Sequence, residues 1–401
     1  NSLDICKFIE YVKKNKPQYA IEGHCPKLLD LDLAKFLYLG INGDHTEHTF
    51  EEFVQRFENG MFMELQAKSI SSELINYIKE NNLYEHFAFV TDDTMPDTFL
   101  HKGHLNVVIK KAIQAGINIE NAIYCATFTP ARRMNLHDRG VIAPGKKADF
   151  LLIDNLKNLH ITQTFIDGKE VYNINSEAKY IPTDYKFPEE FYQSVRVEKI
   201  NEDIFQIPVN NKENEVNCRI IKVIDGSTRT TEIIEKLNVK NGYLDWENSP
   251  YMLIAVFERH GKNGNIGFGL VTGDCIKNGA IATTYAHDHH NLMVIGKNIK
   301  DMTKTINRII ELQGGICCVE NEEILAEVPL PVAGILSEKT VQELGKEVEI
   351  LREKMSQLGY KHYNPIMSLC TLSLPVSPAL KITDKGLIDV NQGKIVNLII
   401  D

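Results

Sequence analysis

The sequence predicts an α/β protein made of two parts, and three features of the chain support this prediction. Residues 1–140 alternate helical patterns with short apolar runs that end in polar clusters, as βα units do. Residues 141–175 change to alternating strands separated by glycine and proline turns. A polar stretch over residues 176–190 contains two prolines and predicts a linker. The mixed strands and helices of residues 191–401 predict a second, α+β domain.

The composition favours a soluble globular protein that acts on small molecules. The chain has 401 residues, of which 43% are hydrophobic, enough for two or three domains with buried cores. A net charge of -10 and a pI of about 5.8 argue against nucleic acid or an anionic membrane as the main partner. The eight cysteines form no C-x-x-C pair, which favours reduced thiols and a cytoplasmic location. No apolar run reaches about 18 residues, so no membrane span or signal peptide is predicted.

Four successive βα units are predicted in the first domain. Their strand ends lie in the segments "AIEGHCP", "GINGDH", "MELQAKS" and "FVTDD", and a helical pattern accompanies each one. Thr49 and Glu52 fit a capping box, which places a helix start shortly after the second strand. Because parallel strands carry their carboxyl ends on the same side of a sheet, we expect the polar clusters to share one face. In a (β/α)₈ barrel that face carries the catalytic residues.

Three of these polar clusters contain candidate metal ligands. His24, His45 and Asp92 follow the first, second and fourth of these predicted strands. They are separated by 21 and 47 residues, or about one and two βα units. Neutral imidazoles and a carboxylate are ligands that divalent transition metals accept, and a bound metal produces hydroxide near neutral pH. Each cluster alone also fits a solvated turn that leads into a helix. As an ordered set, the three residues predict a metal site.

The rest of the chain contains a predicted hairpin and a histidine-rich segment. Asp167 and Gly168 form a "DG" pair between two alternating strands, which predicts a tight β-hairpin. The segment "AHDHHN" includes His287, Asp288 and His290. One interpretation places these side chains over an active site, where they contact substrate or metal. The other is a buried polar turn whose side chains bond to the backbone.

Several motifs are similar to those of the adenine deaminase family, which belongs to the metal-dependent amidohydrolase superfamily. In the first domain they are "GHCP", "GDH", "TDD", a "GH" shortly after it, and "ATFTPARRMNLHDRGVIAPGKKADFLLID". In the second domain, "RHGKNGNIGFGL", "AHDHHNLMVIG", "EVPLPVAGIL" and "LPVSPALKITDKGLIDV" resemble the C-terminal domain that adenine deaminases carry. The resemblance covers nearly the whole chain.

This resemblance implies a particular fold. Residues 1–140 would be strands five to eight of a TIM-like (β/α)₈ barrel, residues 141–175 a small β segment, and residues 191–401 the adenine deaminase C-terminal domain. Family members begin with strands that supply an H-x-H pair and a further carboxylate to a binuclear metal centre. No such pair precedes His24. We therefore expect a missing N-terminal segment or a second chain to complete the barrel, and a homo-oligomer is possible.

The resemblance also implies roles for individual residues. His24 would be the strand-five ligand, His45 the strand-six ligand, and Asp92 the strand-eight carboxylate that binds metal and moves the proton. The metals would be divalent manganese, iron or zinc. Asp44 is expected to orient His45, and His48 to be solvated or to cap a helix. Further candidates for orienting a ligand or contacting the substrate are Asp93, Ser69, His104, His287, Asp288 and His290.

The implied function is hydrolytic deamination of adenine to hypoxanthine and ammonia in purine salvage, by a hydrolase acting on C–N bonds. The H-x-E and P-C-x-x-C motifs of cytidine-type deaminases are absent from the sequence. Two departures from the family pattern leave alternatives open. Thr46 stands where members usually have Glu, and Gln66–Lys68 stand where they usually read R-E-G. One alternative is an amidohydrolase that acts on another aminopurine or a cyclic amide. The other is a non-catalytic barrel fragment that needs a partner chain.

Overall fold

The computed structural model describes residues 2–156, 158–176, 185–209 and 214–400. The chain forms two compact units, residues 1–183 and residues 184–401. Most of the linker predicted over residues 176–190 lies outside the described residues. Each unit is described below by itself.

The N-terminal unit contains a parallel four-stranded sheet in the order of the chain. Its strands are β1 (Glu22–Gly23), β2 (Gly43–Asp44), β3 (Phe62–Leu65) and β4 (Phe87–Phe89). The helices are α1 (Ser2–Asn15), α2 (Asp30–Leu39), α3 (Phe50–Glu58), α4 (Ser72–Glu80), α5 (Pro96–Lys102), α6 (Leu105–Ala115) and α7 (Ile119–Arg133). Each strand is followed by a helix, so the four predicted βα units are confirmed.

The two faces of this sheet differ in character because successive side chains of a strand point to opposite sides. On the helix side, Met63 and Leu65 of β3 are fully buried and pack in one cluster with Leu33 of α2 and Phe53 of α3. Phe62 and Glu64, which alternate with Met63 and Leu65 along β3, point to the other side and are only partly buried. We refer to these as the helix side and the front side of the sheet.

A small antiparallel sheet follows, as the alternation of residues 141–175 predicts. It consists of β5 (Phe150–Asn155), β6 (His160–Ile166) and β7 (Lys169–Asn173), in that order. The turn between β6 and β7 contains only Asp167 and Gly168, which have φ angles of 48° and 74°. Positive φ at both central residues is the requirement of the type I′ hairpin turn that the "DG" pair predicts.

The C-terminal unit is built around one large, mostly antiparallel sheet. Its strands are β8 (Glu215–Val223), β9 (Thr230–Lys240), β10 (Tyr243–Leu244), β11 (Met252–Phe257), β12 (Ile266–Thr272), β13 (Ala280–Thr283), β14 (Leu292–Gly296), β15 (Gly315–Glu320) and β16 (Glu323–Pro329). They are arranged in the order β10-β9-β8-β12-β11-β14-β13-β15-β16. The helices are α8 (Ile299–Leu312), α9 (Val341–Gln357) and α10 (Pro365–Cys370). The mixture of strands and helices predicted for this part of the chain is confirmed.

The remaining strands complete the C-terminal unit. β17 (Leu380–Thr383), β18 (Gly386–Asp389) and β19 (Lys394–Val396) form a second antiparallel sheet, and β20 (Ile399–Ile400) pairs with β8. The eight cysteines carry free thiols, and seven of them are buried, which agrees with the reduced thiols that the sequence predicts. Within the described residues, no helix combines the length and the apolar character needed to cross a membrane.

Helix α3 begins with the predicted capping box. Thr49 Oγ1 accepts a hydrogen bond from Glu52 N at 3.3 Å, and Glu52 Oε2 accepts one from Thr49 N at 3.0 Å. Loss of such a cap costs about 1 kcal/mol of local helix stability. We expect Thr49→Ala to accelerate amide hydrogen exchange in α3 about fivefold, which mass spectrometry of its peptides measures.

Thr340→Ala is the matched control, because Thr340 and Glu343 form the corresponding capping box of α9 in the other unit. It should accelerate exchange in α9 and leave α3 unchanged. Unaltered exchange in α3 of Thr49→Ala would show that the cap does not stabilise that helix.

Candidate metal centre

The structure brings the predicted ligands to the carboxyl end of the parallel sheet. His24 directly follows β1, His45 directly follows β2, and the rings of these two residues lie 5.5 Å apart, centroid to centroid, in an edge-to-face arrangement. Asp92 follows β4 and is connected to His45 through Gln66. His24 and Asp92 are exposed, and His45 is partly exposed. The three predicted residues therefore share one accessible face.

The separation of the two imidazoles fits coordination of one metal ion. Imidazole nitrogens are common ligands of divalent transition metals, and two rings this close together could both hold one ion. Across the described part of the chain, no set of three His, Cys, Asp or Glu side chains is already arranged around a metal position. The imidazole pair thus matches a metal site in donor chemistry and spacing, while Asp92 is bonded to a protein group.

The surroundings of His24 favour the neutral imidazole, the form that binds metal. Burial lowers the pKa of His24, the neighbouring His45 lowers it further, and Asp44 and Asp92 oppose this change. A metal binds the neutral imidazole, since the lone pair of the ring nitrogen must be free. The local environment therefore stabilises the ligand form of this histidine.

Gln66 is a site residue that the sequence analysis noted only as a departure from the family pattern. It directly follows β3 and is 5% exposed. Its Nε2 donates to Asp92 Oδ2 at 2.7 Å and to the carbonyl oxygen of His45 at 2.8 Å. One amide group thus links the ends of β2 and β4. The sequence contained one indication of this role, since Gln66 is a polar residue at the end of a predicted strand.

Asp44 does not orient the ring of His45 as the sequence analysis expected. It is the last residue of β2 and points to the helix side, whereas His45 follows it on the front side. The Asp44 carboxylate accepts hydrogen bonds from Cys25 Sγ at 3.0 Å and His48 Nε2 at 2.7 Å. Burial opposes its ionisation, but the bonds from His48, Cys25 and Thr46 N hold the pKa of Asp44 well below its usual range.

The sequence predicts that His48 is solvated or caps a helix, and the prediction of a solvated His48 is wrong. Its side chain has no exposed area, and it bridges Asp44 and Glu52, with Nδ1 3.2 Å from Glu52 Oε2. Thr46 belongs to the same buried group, since its Oγ1 lies 3.0 Å from Asp44 Oδ2 and 2.9 Å from His48 Nε2. These residues lie on the helix side of the sheet, where two carboxylates provide partners for the imidazole.

Glu64 is an acidic residue at the site that the sequence analysis did not identify. It lies on the front side of β3, and its Oε2 is 4.0 Å from His45 Nδ1. Burial raises the pKa of Glu64, and repulsion from Glu22 raises it further. Glu22 is itself paired with Arg133 at 2.6 Å. Period-two alternation places Glu64 on the front side, but only the register of β3 identifies His45 as its neighbour.

The other predicted candidates of this unit have different surroundings. Ser69 is 8% exposed, and its Oγ is buried with no hydrogen-bond partner among the described residues. His104 is exposed, with its Nε2 3.0 Å from Thr91 Oγ1. Asp93 is exposed beside Asp92. Their roles remain predictions.

The histidine-rich segment lies in the C-terminal unit, in the turn between β13 and β14. The ring of His287 is 5.3 Å from that of Tyr285 and 5.8 Å from that of His290, while Asp288 is exposed. His290 Nδ1 accepts a hydrogen bond from Ala286 N at 3.2 Å. This hydrogen bond to the backbone agrees with the interpretation as a buried polar turn. Contact of these side chains with substrate or metal remains a prediction.

Comparison with known proteins assigns the chain to a family. A model of the amidohydrolase family matches residues 38–171, and a model of the adenine deaminase C-terminal domain matches residues 227–394. The adenine deaminase of Clostridium perfringens is 50% identical over 399 residues, covering 98% of this chain and 70% of that protein. Adenine deaminase 2 of Shouchella clausii is 47% identical, covering 98% and 69%. The chain belongs to the adenine deaminase family.

Membership of the adenine deaminase family confirms the resemblance drawn from the motifs. It identifies the chain as a hydrolase that acts on C–N bonds, within the amidohydrolase superfamily, and it implies a divalent metal. The solved structure of an enamidase aligns with a TM-score of 0.36 and 18% identity, over 43% of this chain and 52% of that chain. That similarity is too low to support any further argument.

We expect His289, in the same turn as His290, to make the stability of the C-terminal unit depend on pH. Its Nδ1 accepts a hydrogen bond from Asn291 N at 2.9 Å. Burial lowers the pKa of His289 to about 4, although Asp384 opposes this. In an unfolded chain a histidine binds its proton near pH 6.5. Between these values the unfolded state holds more protons, so stability should decrease as the pH falls from about 6.5 to about 4.

His289→Asn tests this assignment, because the Asn Oδ1 atom can accept the same hydrogen bond without titrating. The melting temperature of the C-terminal unit, measured from pH 7 to pH 4, should fall less steeply in this variant than in the unmodified protein. Equal pH dependence in the two proteins would rule out His289 as the source.

Proposed function

We propose that this protein hydrolyses adenine to hypoxanthine and ammonia at the front side of the parallel sheet, with a divalent metal bound by His24, His45 and Asp92. The observation that carries the proposal is the 5.5 Å separation of the two imidazoles, with Asp92 connected to the same strand ends through Gln66. Relatives of up to 50% identity are named adenine deaminase, which favours adenine over other aminopurines or cyclic amides.

The chemistry divides between the metal and the side chains. When bound, the metal supplies hydroxide near neutral pH. His24 and His45 hold it as neutral nitrogen donors. Asp92 accepts the proton of the attacking water and delivers it to the departing amine, as a general base and then a general acid. Gln66 Nε2 donates a hydrogen bond to Asp92 Oδ2, and this bond orients the carboxylate.

Several finer features belong to the same proposal. The centre is binuclear and contains manganese, iron or zinc, whose ligand preferences include imidazole and carboxylate. The parallel sheet corresponds to strands five to eight of a (β/α)₈ barrel, and the other barrel strands and metal ligands come from an N-terminal segment or a second chain. β1 supports this, because its outer edge has no partner strand among the described residues. The reaction serves purine salvage in the cytoplasm.

The first test is ammonia release from adenine by the purified protein after addition of Mn²⁺, Fe²⁺ or Zn²⁺, with its intact mass and metal content measured on the same sample. Asp92→Asn removes the group that moves the proton while preserving its size. We expect it to reduce kcat by about 10²- to 10⁴-fold, the usual contribution of a general acid–base group.

Asp32→Asn is the matched control, because Asp32 is an exposed carboxylate of the same unit that pairs with Lys35 on α2. It should retain full activity. If the sample contains the N-terminal segment or the second chain and is loaded with metal, an absence of ammonia release from adenine would contradict the proposed function. An Asp92→Asn variant with unchanged kcat would contradict the role of Asp92.

A further inference from the structure

We propose that Asp44 and Arg56 are positioning residues that set the distance between the metal ligands His24 and His45 from the opposite side of the sheet. They belong to a buried polar network on the helix side, which we call the Asp44 network and which consists of Cys25, Asp44, Thr46, His48 and Arg56. The inference rests on the proposed metal centre.

Arg56 connects the end of β1 to helix α3. Its Nη2 donates to the carbonyl oxygen of Cys25 at 2.5 Å, and its Nη1 donates to the carbonyl oxygen of Glu52 at 2.9 Å. The guanidinium is fully buried. Two donors in a rigid plane fix both the distance and the direction of the backbone that they bond. The backbone of Cys25 is therefore held against α3, and His24 is its direct neighbour in the chain.

Asp44 connects the end of β2 to the same group. Its Oδ2 accepts from Cys25 Sγ at 3.0 Å, and its Oδ1 accepts from Thr46 N at 3.0 Å. Arg56 Nε lies 3.6 Å from Asp44 Oδ2, and neither side chain has exposed area. Asp44, which precedes His45, is thus bonded to Cys25 and Thr46. Cys25 follows His24, and Thr46 follows His45.

The covalent neighbours explain how a network on one side controls a site on the other. β1 and β2 pair in parallel with Gly23 beside Asp44, so His24 and His45 occupy equivalent positions directly beyond the paired residues. Metal coordination tolerates ligand displacements of only about 0.2 Å. The hydrogen bond between Cys25 and Asp44 and the bond from Arg56 to the Cys25 carbonyl restrict the relative movement of the two strand ends, and so of the two imidazoles. Apolar side chains at the same place would bury surface area but would not fix the direction of the backbone.

A positioning role differs from a purely structural one in what it affects. If the Asp44 network only stabilises the fold, its loss lowers the melting temperature and leaves the metal affinity of the folded protein unchanged. If it sets the ligand distance, its loss weakens metal binding by folded molecules and alters the coordination geometry. Residues that support metal ligands typically contribute 10- to 100-fold to metal affinity.

The experiment measures affinity for Zn²⁺ and Co²⁺ by chelator competition, in the full-length protein and two variants. Asp44→Asn preserves size but replaces the charged acceptor, and Arg56→Lys preserves the charge but removes the planar pair of donors. We expect Zn²⁺ affinity to fall 10- to 100-fold in Asp44→Asn, and to fall less in Arg56→Lys. The visible absorption of bound Co²⁺ should change in both variants, because it reports ligand geometry. Far-UV circular dichroism confirms that the variants are folded.

Asp301→Asn is the matched control. Asp301 is also a buried carboxylate, 2% exposed, which accepts hydrogen bonds from Asn321 N and Glu322 N in the C-terminal unit. It should lower the melting temperature without changing Zn²⁺ affinity. If Asp44→Asn does not fold, His48→Asn removes one donor to Asp44 and should still weaken Zn²⁺ binding.

The outcomes separate this inference from the proposed function. Failure of the unmodified protein to bind Zn²⁺ or Co²⁺ would contradict the proposed metal centre itself. Metal binding by the unmodified protein, with the same affinity and Co²⁺ spectrum in folded Asp44→Asn, would overturn only the positioning role. An equal loss of affinity in Asp301→Asn would also overturn it, because the effect would then follow from general destabilisation.

Discussion

The site depends on the alternation of side chains at the ends of two very short strands. β1 and β2 are each two residues long, yet their parallel pairing fixes which side the next residue takes. At the end of β2 this places the Asp44 carboxylate among the helices and the His45 imidazole on the exposed front side. A single step in register would exchange them. It would bury the imidazole of His45, a proposed metal ligand, and expose the Asp44 carboxylate, whose hydrogen-bond partners lie on the helix side.

The burial of charged groups on the helix side of the sheet restricts which arrangement of the strand ends is stable. A buried carboxylate is costly unless its oxygens accept hydrogen bonds, and a buried guanidinium is costly unless its donors are paired. Asp44 meets that condition with Cys25, Thr46 and His48. An apolar replacement of the same volume can be equally stable, so stability alone does not explain the charges. What the polar groups add is direction, since each bond requires a particular placement of the backbone beside a proposed metal ligand.

Much of the fold was predictable because it follows from short-range patterns. The alternation of apolar runs and amphipathic helices predicted the βα units, the Thr49 and Glu52 pair predicted the start of α3, and "DG" predicted the hairpin turn. The surroundings of His48 and the direction of Asp44 were not predictable in the same way. Both depend on where a two-residue strand ends. The direction of Asp44 also depends on Cys25 and Arg56, which are distant from it in sequence. Gln66 had a visible signal, a polar residue at a strand end, but its two partners come from β2 and β4.

The substitution of Thr for the usual acid after His45 is consistent with this geometry. Thr46 turns back toward the helix side, where its backbone N–H and its hydroxyl both bond to Asp44. A carboxylate there would lie beside the ionised Asp44 in a buried space, and repulsion would raise the cost of burying both. In this chain, a carboxyl group on the front side beside His45 comes from the neighbouring strand. Glu64 on β3 meets this requirement, since its register brings a partly buried carboxyl group to within 4.0 Å of His45.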